Sequence, residues 1–387
     1  MAEPRSNFRL MAAMILAIFL YGAIAALLGT LLPDLAERFN ASDQALGVMA
    51  TIQAIGLAIS SVAVGPLIDN KGKKTALVLG LALIVIALLG LGFSPSFGFA
   101  QLSIFLLGLG GGMIVTGANT LISDVAEERR SSALNLLNLF FGVGSMSTPF
   151  LAANIPGLET SYALCYTLAA LAGLTFLLHA TTPMPGPTGE RGFRFSEAGT
   201  LFGQPALWLL SAFLFLYVAC EVGVFNWLVR YLVSQGVDQS FAQNVLTFGF
   251  AMGIAVGRIV ISRVLLGVSE VKVTFWAALG MVLFTFAMLR SADPMMVGLT
   301  AFFAGLSMAP MFPTTLGMVG NIFRVATATA MGIVITSGWI GLTLSSYLIG
   351  AISEAVDLRT ALLLIPGMSL GMVLINLALR PYVRRPA

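Results

Sequence analysis

Charge is what this chain of 387 residues has least of: 20 Lys and Arg with 17 Asp and Glu make up 10% of it, against 58% hydrophobic residues. Soluble domains carry about 25% charged residues, so a mean hydropathy of +0.95 excludes a soluble globular protein. Histidine occurs once, at His179. That leaves no Ser–His–Asp set and no His-based metal cluster, so an enzyme is the least favoured class, with no catalytic residue, metal or resident cofactor expected. The net charge of +3 is small and its cations are scattered over loops, which gives no nucleic-acid footprint. The two cysteines, Cys165 and Cys220, lie inside apolar runs and read as buried thiols rather than a disulfide.

What the chain does have is apolar runs, near 9–32, 45–68, 75–93, 98–122, 132–153, 160–182, 205–232, 241–264, 273–289, 295–322, 327–352 and 360–380. A membrane-spanning helix needs about 20 apolar residues. These runs are continuous instead of alternating, which points to helices and not barrel strands. Arg5 and Arg9 precede the first run, and no small-residue cleavage site follows a short core. The run therefore reads as a first span and not a removable signal. The expected fold is an all-α membrane protein of twelve transmembrane helices.

The one long connection, 183–204, is rich in Pro and Gly (Pro183, Pro185, Gly186, Pro187, Gly189, Gly192) and reads as a linker. It divides the chain into two six-helix bundles, 1–182 and 205–387. One set of loops holds most of the cations, among them Lys71, Lys73, Lys74, Arg129, Arg130, Arg191, Arg194, Arg263, Lys272, Arg324, Arg384 and Arg385. The other holds only Arg38, Arg230, Arg290 and Arg359. The positive-inside rule then puts both termini and the linker in the cytoplasm of a cell with a multi-pass inner membrane protein. A faint repeat links the halves. Gly65 pairs with Gly257 at an offset of 192, and Phe105–Gly108–Leu109 with Phe302–Gly305–Leu306 at 197. Duplicated bundles related by an axis along the membrane normal are a transporter architecture; chance matching among 41 glycines is the competing reading.

The strongest local signal is Gly65-Pro66-Leu67-Ile68-Asp69-Asn70-Lys71-Gly72-Lys73-Lys74, between spans two and three. It resembles the signature Gly-x-Leu-[Ala/Ser]-Asp-[Arg/Lys]-x-Gly-[Arg/Lys]-[Arg/Lys] of the major facilitator superfamily, matched at Gly65, Leu67, Asp69, Gly72, Lys73 and Lys74. Asn70 departs from the usual basic residue. Gly65 permits close helix approach and Gly72 turns the chain. Asp69 suits a helix N-terminus or an Arg. The resemblance implies two pseudo-symmetric six-helix bundles and assigns Gly65, Asp69, Gly72, Lys73 and Lys74 to gating on the cytoplasmic side. The stretch after span eight, Gly257-Arg258 through Arg263, is a degenerate counterpart.

Glu221 is the candidate for ion coupling. It stands nine residues before Arg230 in the seventh span, about 13 Å of helix. A charge at mid-span costs about 2.5–3.5 kcal/mol on insertion scales, and a carboxyl can shed its charge by binding a proton. The competing reading is a neutral structural Glu at a helix contact. No second acid lies so deep; Glu159, Asp238, Asp293 and Asp357 sit at span ends, and Asp124 and Glu270 fall on the basic-loop side. His179 reads as an interface residue near a span end. Arg230 and Arg258 are read as near span ends and able to snorkel, so no cation lies deep and a neutral substrate is favoured. Amides and hydroxyls suit a hydroxylated ligand because they donate and accept, and aromatic faces can stack on a sugar ring. The candidate substrate contacts are Gln53, Asn119, Asn138, Glu221, Phe225, Trp227, Gln243, Asn244, Thr314 and Trp339. Each amide can equally be a helix–helix hydrogen bond. In span ten, Pro310 and Pro313 permit bending.

Tyr217-Val218-Ala219-Cys220-Glu221 with Leu228-Val229-Arg230-Tyr231, Gly257-Arg258, Thr116-x-Ala118-Asn119, Phe312-Pro313-Thr314, Asn135 and Asn138 resemble segments of the fucose/glucose–galactose permease branch. That resemblance implies a sugar:cation symporter working by alternating access, a monomer in the lipid bilayer, with a proton or sodium as coupling ion. The acids of the fucose transporters in spans one and four are replaced by Gly29 and Val115, which leaves Glu221 as the coupling candidate. Two other classes stay open: an exporter of drugs or amphipathic metabolites, consistent with 18 Met and 27 Phe, and a non-transporting membrane receptor.

Overall fold

A computed structural model describes residues 4–41, 43–155, 157–158, 161–186, 198–291, 293–324 and 326–383. The α-helices are α1 (Pro4–Phe39), α2 (Asp43–Lys71), α3 (Lys73–Phe93), α4 (Phe97–Val125), α5 (Arg130–Asn154), α6 (Ser161–Thr181), α7 (Ala198–Phe202) and α8 (Pro205–Ser234). They continue as α9 (Gln239–Asn244), α10 (Met252–Val264), α11 (Glu270–Arg290), α12 (Pro294–Met308), α13 (Met311–Ile322), α14 (Thr327–Ala355), α15 (Leu358–Leu362) and α16 (Leu364–Leu379). Twelve stretches are long and apolar enough to cross a membrane. The chain is an all-helical, multi-pass membrane protein, as its composition requires. Of the linker, Pro187, Gly189, Arg191, Gly192 and Arg194 lie outside the described residues, as do Glu159, Arg384 and Arg385. Its last part carries the short helix α7, where the sequence suggests only a connection.

Three spans are interrupted. The tenth divides between α12 and α13 at Ala309 and Pro310. Pro313, four residues on, donates no N–H to the Ala309 carbonyl and its ring clashes with it. The twelfth divides at Leu363, where Pro366 acts in the same way on the Leu362 carbonyl. In the eighth, a π-helical stretch, Val245–Ala251, joins α9 to α10; such stretches are rare and recur at functional sites.

The chain divides into two compact units. Unit 1 contains residues 1–125, 137–197 and 323–336. Unit 2 contains 126–136, 198–322 and 337–387. The cut thus passes through α5 and α14, whose first turns each group with elements from the other end of the sequence.

The repeat is real, and from the second span to the sixth its register is 197. Helix starts Lys73, Phe97, Arg130 and Ser161 recur at Glu270, Pro294, Thr327 and Leu358, each 197 residues on. The close-packed seams agree. In unit 1, a Cβ at Gly56 would meet the Phe105 carbonyl oxygen at 2.6 Å, and Gly108 abuts the Gln53 carbonyl. In unit 2, Gly253 abuts the Phe302 carbonyl and Gly305 the Phe250 carbonyl. All four positions differ by 197. Gly112 packs on Ser60, and Gly257 on Ala309, again 197 apart. Gly257 is therefore the counterpart of Ser60, and the pairing of Gly65 with Gly257 at 192 is corrected: both are glycines at helix seams, but one and a half turns out of register.

Candidate functional site

The signature loop builds a clasp within unit 1. Gly72 has φ 88°, in the left-handed region open to glycine, so α2 can stop and α3 start within one residue. Gly65 lies against α14: an added Cβ would come within 2.5 Å of Thr329 Cα. Asp69 is buried and caps the first turn of α14. Its Oδ1 accepts the Ala328 N–H at 3.3 Å, and its Oδ2 accepts the Thr329 N–H at 3.0 Å and the Thr329 hydroxyl at 2.6 Å. These are amides a helix N-terminus leaves without partners, and the dipole there favours a carboxylate. Val64, Ile68, Ala76 and Ala328 close an apolar core beside the cap. Lys73 is buried and pairs with Asp124 at 2.6 Å; Lys74 is half-buried.

Unit 2 holds the mate of this clasp. The first turn of α5 stands where α14 stands in unit 1, since Ser132 is 197 before Thr329. Ser132 Oγ donates to the Ser262 carbonyl at 2.5 Å, and Ser262 is 197 after Gly65. Glu270 and Asn321, at the positions of Lys73 and Asp124, are joined by Asn321 Nδ2 to Oε1 at 2.8 Å. Ser131 Oγ donates to the same carboxylate oxygen at 3.1 Å, and Arg130 Nη1 donates to Asn321 Oδ1 at 2.9 Å. Leu266 occupies the position of Asp69. The acid stands four residues further on, across the turn between α10 and α11, which is why the second loop looks degenerate in the sequence. Aligning at 197 exposes the substitution.

The second feature lies on α8. Tyr217, Glu221 and Phe225 follow one another at i, i+4 and i+8 and so share a face. Tyr217 is fully buried, Glu221 half-buried and Phe225 exposed, so the stripe runs from core to surface. Glu221 has Tyr217 and Arg258 as its electrostatic neighbours. The Tyr217 hydroxyl is within range of the carboxylate without meeting hydrogen-bond geometry. Phe225 meets Phe250 edge-on at 5.1 Å, which brings the π-helical stretch to the same face. Arg258 is 6% exposed. The expectation that it snorkels at a span end is therefore overturned: its guanidinium turns inward, where a carboxylate compensates it.

Of the other candidates, Gln243 and Asn244 are exposed at the start of the π-helical stretch, and Gln53, Trp227 and Trp339 are half-buried. Trp227 Nε1 is buried with no acceptor. Asn119 and Asn138, by contrast, are paired: Asn138 Nδ2 donates to Asn119 Oδ1 at 2.8 Å and Asn119 Nδ2 to the Val115 carbonyl at 2.7 Å. Thr314 is fully buried and accepts from Asn135 Nδ2 at 3.1 Å. In this conformation these three are helix–helix contacts with little or no surface for a ligand. His179 is fully buried, bonded through Nδ1 to the Thr175 carbonyl at 2.8 Å. It is a core residue and not an interface one.

Comparison with known proteins places these features in a family. The profile of the Major Facilitator Superfamily matches residues 14–294. The chain is 24% identical over 347 residues to the glucose/mannose transporter GlcP of Bacillus subtilis, covering 86% of this chain and 85% of that one. Its fold is similar to that of the E. coli fucose:proton symporter FucP (TM-score 0.82, 19% identity, 97% of this chain and 98% of that one). It is equally similar to that of the human organic anion transporter MFSD10 (TM-score 0.82, 17% identity, 97% and 100%). At these identities the solved structures speak to fold and not to substrate.

Proposed function

The chain belongs to the Major Facilitator Superfamily, and from that premise we propose that it is a secondary active transporter of a small neutral hydroxylated solute, a hexose, coupled to protons through Glu221. The observation that carries the proposal is the half-buried Glu221 in the middle of α8, beside buried Arg258 and one turn from exposed Phe225. Ionised, Glu221 offsets part of the Arg258 charge; protonated, it no longer does, which costs free energy away from water. Proton binding thus changes the local charge balance by one unit where the solute binds, and a sugar hydroxyl accepting from Arg258 offsets part of that cost. The similarity to a glucose/mannose transporter and the shared fold of a fucose:proton symporter support the solute class and the coupling ion; sodium is the other cation to test.

Solute contacts come from the surface-bearing residues of unit 2: Glu221, Phe225, Trp227, Gln243, Asn244 and Trp339. Aromatic rings take the apolar faces of the sugar and amides its hydroxyls. The Asp69 clasp and its mate at Glu270 hold one conformation, with the basic loops on the cytoplasmic side of the inner membrane, and release in the other. The protein acts as a monomer.

The test is uptake of labelled hexoses into proteoliposomes, with and without an imposed proton gradient, for wild type and Glu221→Gln. Gradient-driven accumulation that disappears in the variant while exchange persists supports the proposal. Accumulation indifferent to the substitution removes Glu221 from coupling. No hexose movement under any gradient removes the sugar, and a panel of amphipathic drugs and carboxylates then tests export. Ligand binding without any transport would make the chain a receptor.

A further inference from the structure

The set of loops poor in cations holds four arginines, and two of them converge. Arg38 is committed to backbone, donating to the Ser94 carbonyl at 2.7 Å. Arg230 lies over the Trp227 ring at 5.5 Å. Arg290, at the end of α11 and over the Phe286 ring at 5.9 Å, and Arg359, in α15, line one cavity of about 170 Å³ in unit 2, with Tyr231, Gln235 and Ser291 among its other walls. No acidic residue lines it. Among the described residues neither guanidinium donates a hydrogen bond or has a carboxylate oxygen within 4 Å. Asp357 acts on Arg359 electrostatically, but its oxygens cap α15 through Thr360, at 2.9 Å to its N–H and 2.7 Å to its hydroxyl; Asp293 caps α12 through the Met295 N–H at 2.9 Å. The Tyr231 hydroxyl is spent on the Leu289 carbonyl, leaving the Gln235 amide and Ser291 hydroxyl as neutral donors.

The two guanidinia, Arg290 over the Phe286 ring and Arg359 within the field of Asp357, share a concave site suited to the paired oxygens of a phosphate. The volume is well below the roughly 300 Å³ at which drug-sized pockets begin and exceeds the share of about five waters, which fits a headgroup and not a whole solute. Beside it, Met295 is 80% and Val356 66% exposed, apolar side chains at the end of spans where acyl chains begin.

We propose that Arg290 and Arg359 form a binding site for a phosphate oxyanion, supplied by a phospholipid headgroup or by free phosphate, separate from the solute site and independent of the transport reading. Anion binding there ties α8, α11, α12 and α15 together at one end.

The test uses purified full-length protein in neutral detergent, titrated with phosphatidylglycerol followed by native mass spectrometry, and with inorganic phosphate followed by thermal unfolding. Wild type is expected to hold one phosphatidylglycerol at least tenfold more tightly than Arg290→Gln/Arg359→Gln, with Arg290→Lys/Arg359→Lys between, since lysine keeps the charge but not the fork. A shift with phosphate alone identifies the free anion as ligand; binding of the lipid only identifies the headgroup. Should the double glutamine variant fail to fold, Arg359→Gln alone and Ser291→Val each give a smaller loss. Equal binding of both ligands by wild type and by every variant that folds would overturn the site.

Discussion

Replacing Asp69 by Asn isolates the charge of the clasp with almost no change in shape. The carboxylate accepts three hydrogen bonds from the first turn of α14. Asn keeps one acceptor oxygen, which can serve Thr329, but turns its NH₂ toward the Ala328 N–H. One buried donor is then orphaned, at about 1–3 kcal/mol, and two charge-assisted bonds become neutral ones, each weaker by about 1 kcal/mol. Loss of the carboxylate at the helix N-terminus is part of the same effect and is not added again. The lower end of that sum, about 3 kcal/mol, falls only on the conformation that makes the contact and shifts its equilibrium at least about 100-fold. Thiol labelling reads the shift. Cys165 and Cys220 are fully buried and give a low background, while Val64→Cys places a reporter in the core that Ala328 closes. Labelling of that thiol should rise by one to two orders of magnitude when Asp69→Asn is added. In a double-mutant cycle with Thr329→Val the two effects should be far from additive, since they share a contact. Unchanged labelling, with the protein folded, would refute the reading of Asp69 as a clasp that opens.

Other substitutions test the rest of the arrangement. Lys73→Met removes the buried ion pair with Asp124 and should cost about 3–5 kcal/mol in detergent unfolding, most of it restored by Asp124→Leu in the same chain. Glu270→Leu removes the acceptor shared by Ser131 and Asn321; it should mimic Asp69→Asn in function while leaving the Val64→Cys reporter less affected, because its contacts lie in unit 2. Gly332→Ala drives a Cβ into the Ser61 carbonyl and should impair transport and raise labelling. Gly98→Ala, with nothing within 4 Å of the new carbon, should stay within about 0.5 kcal/mol of wild type.

The spans were legible because lipid demands continuous apolar runs, and that demand is written residue by residue. The break in span ten was legible from Pro310 and Pro313; the break at Leu363 has the same cause in Pro366, overlooked because it falls near the start of a run. Amides are harder. Asn119 and Asn138 are 19 residues apart, and only the packing of α4 on α5 decides that they bond to each other. Arg258 was misjudged because a count of residues from a span end says nothing about the face a long side chain takes. The 192 offset failed for a related reason: in a chain with 41 glycines two can match by chance, whereas helix starts and seam contacts must all agree.

The corrected register also explains how the clasps can open. At 197 residues, the start of α14 on α2 in unit 1 and the start of α5 on α10 and α11 in unit 2 are the same joint built twice, first around Asp69 and then around Glu270. Beyond the small cluster of Val64, Ile68 and Ala76 around Ala328 in unit 1, neither rests on large apolar side chains. Gly65, Gly332 and Gly317 bring backbone against backbone or Ser131, and the remaining contacts are hydrogen bonds from serine, threonine, asparagine and arginine. A buried Leu or Phe would cost about 1.5–3 kcal/mol to expose. A hydrogen bond that water can replace costs about 0.5–1.5 kcal/mol net. Joints of this composition suit the proposed cycle, in which one bound proton and one bound solute tip two conformations that differ by a few kcal/mol. The glycine-rich seams α2–α4 and α10–α12, by contrast, bring backbone against backbone at Gly56, Gly108, Gly253 and Gly305, the close packing expected of pairs that stay together.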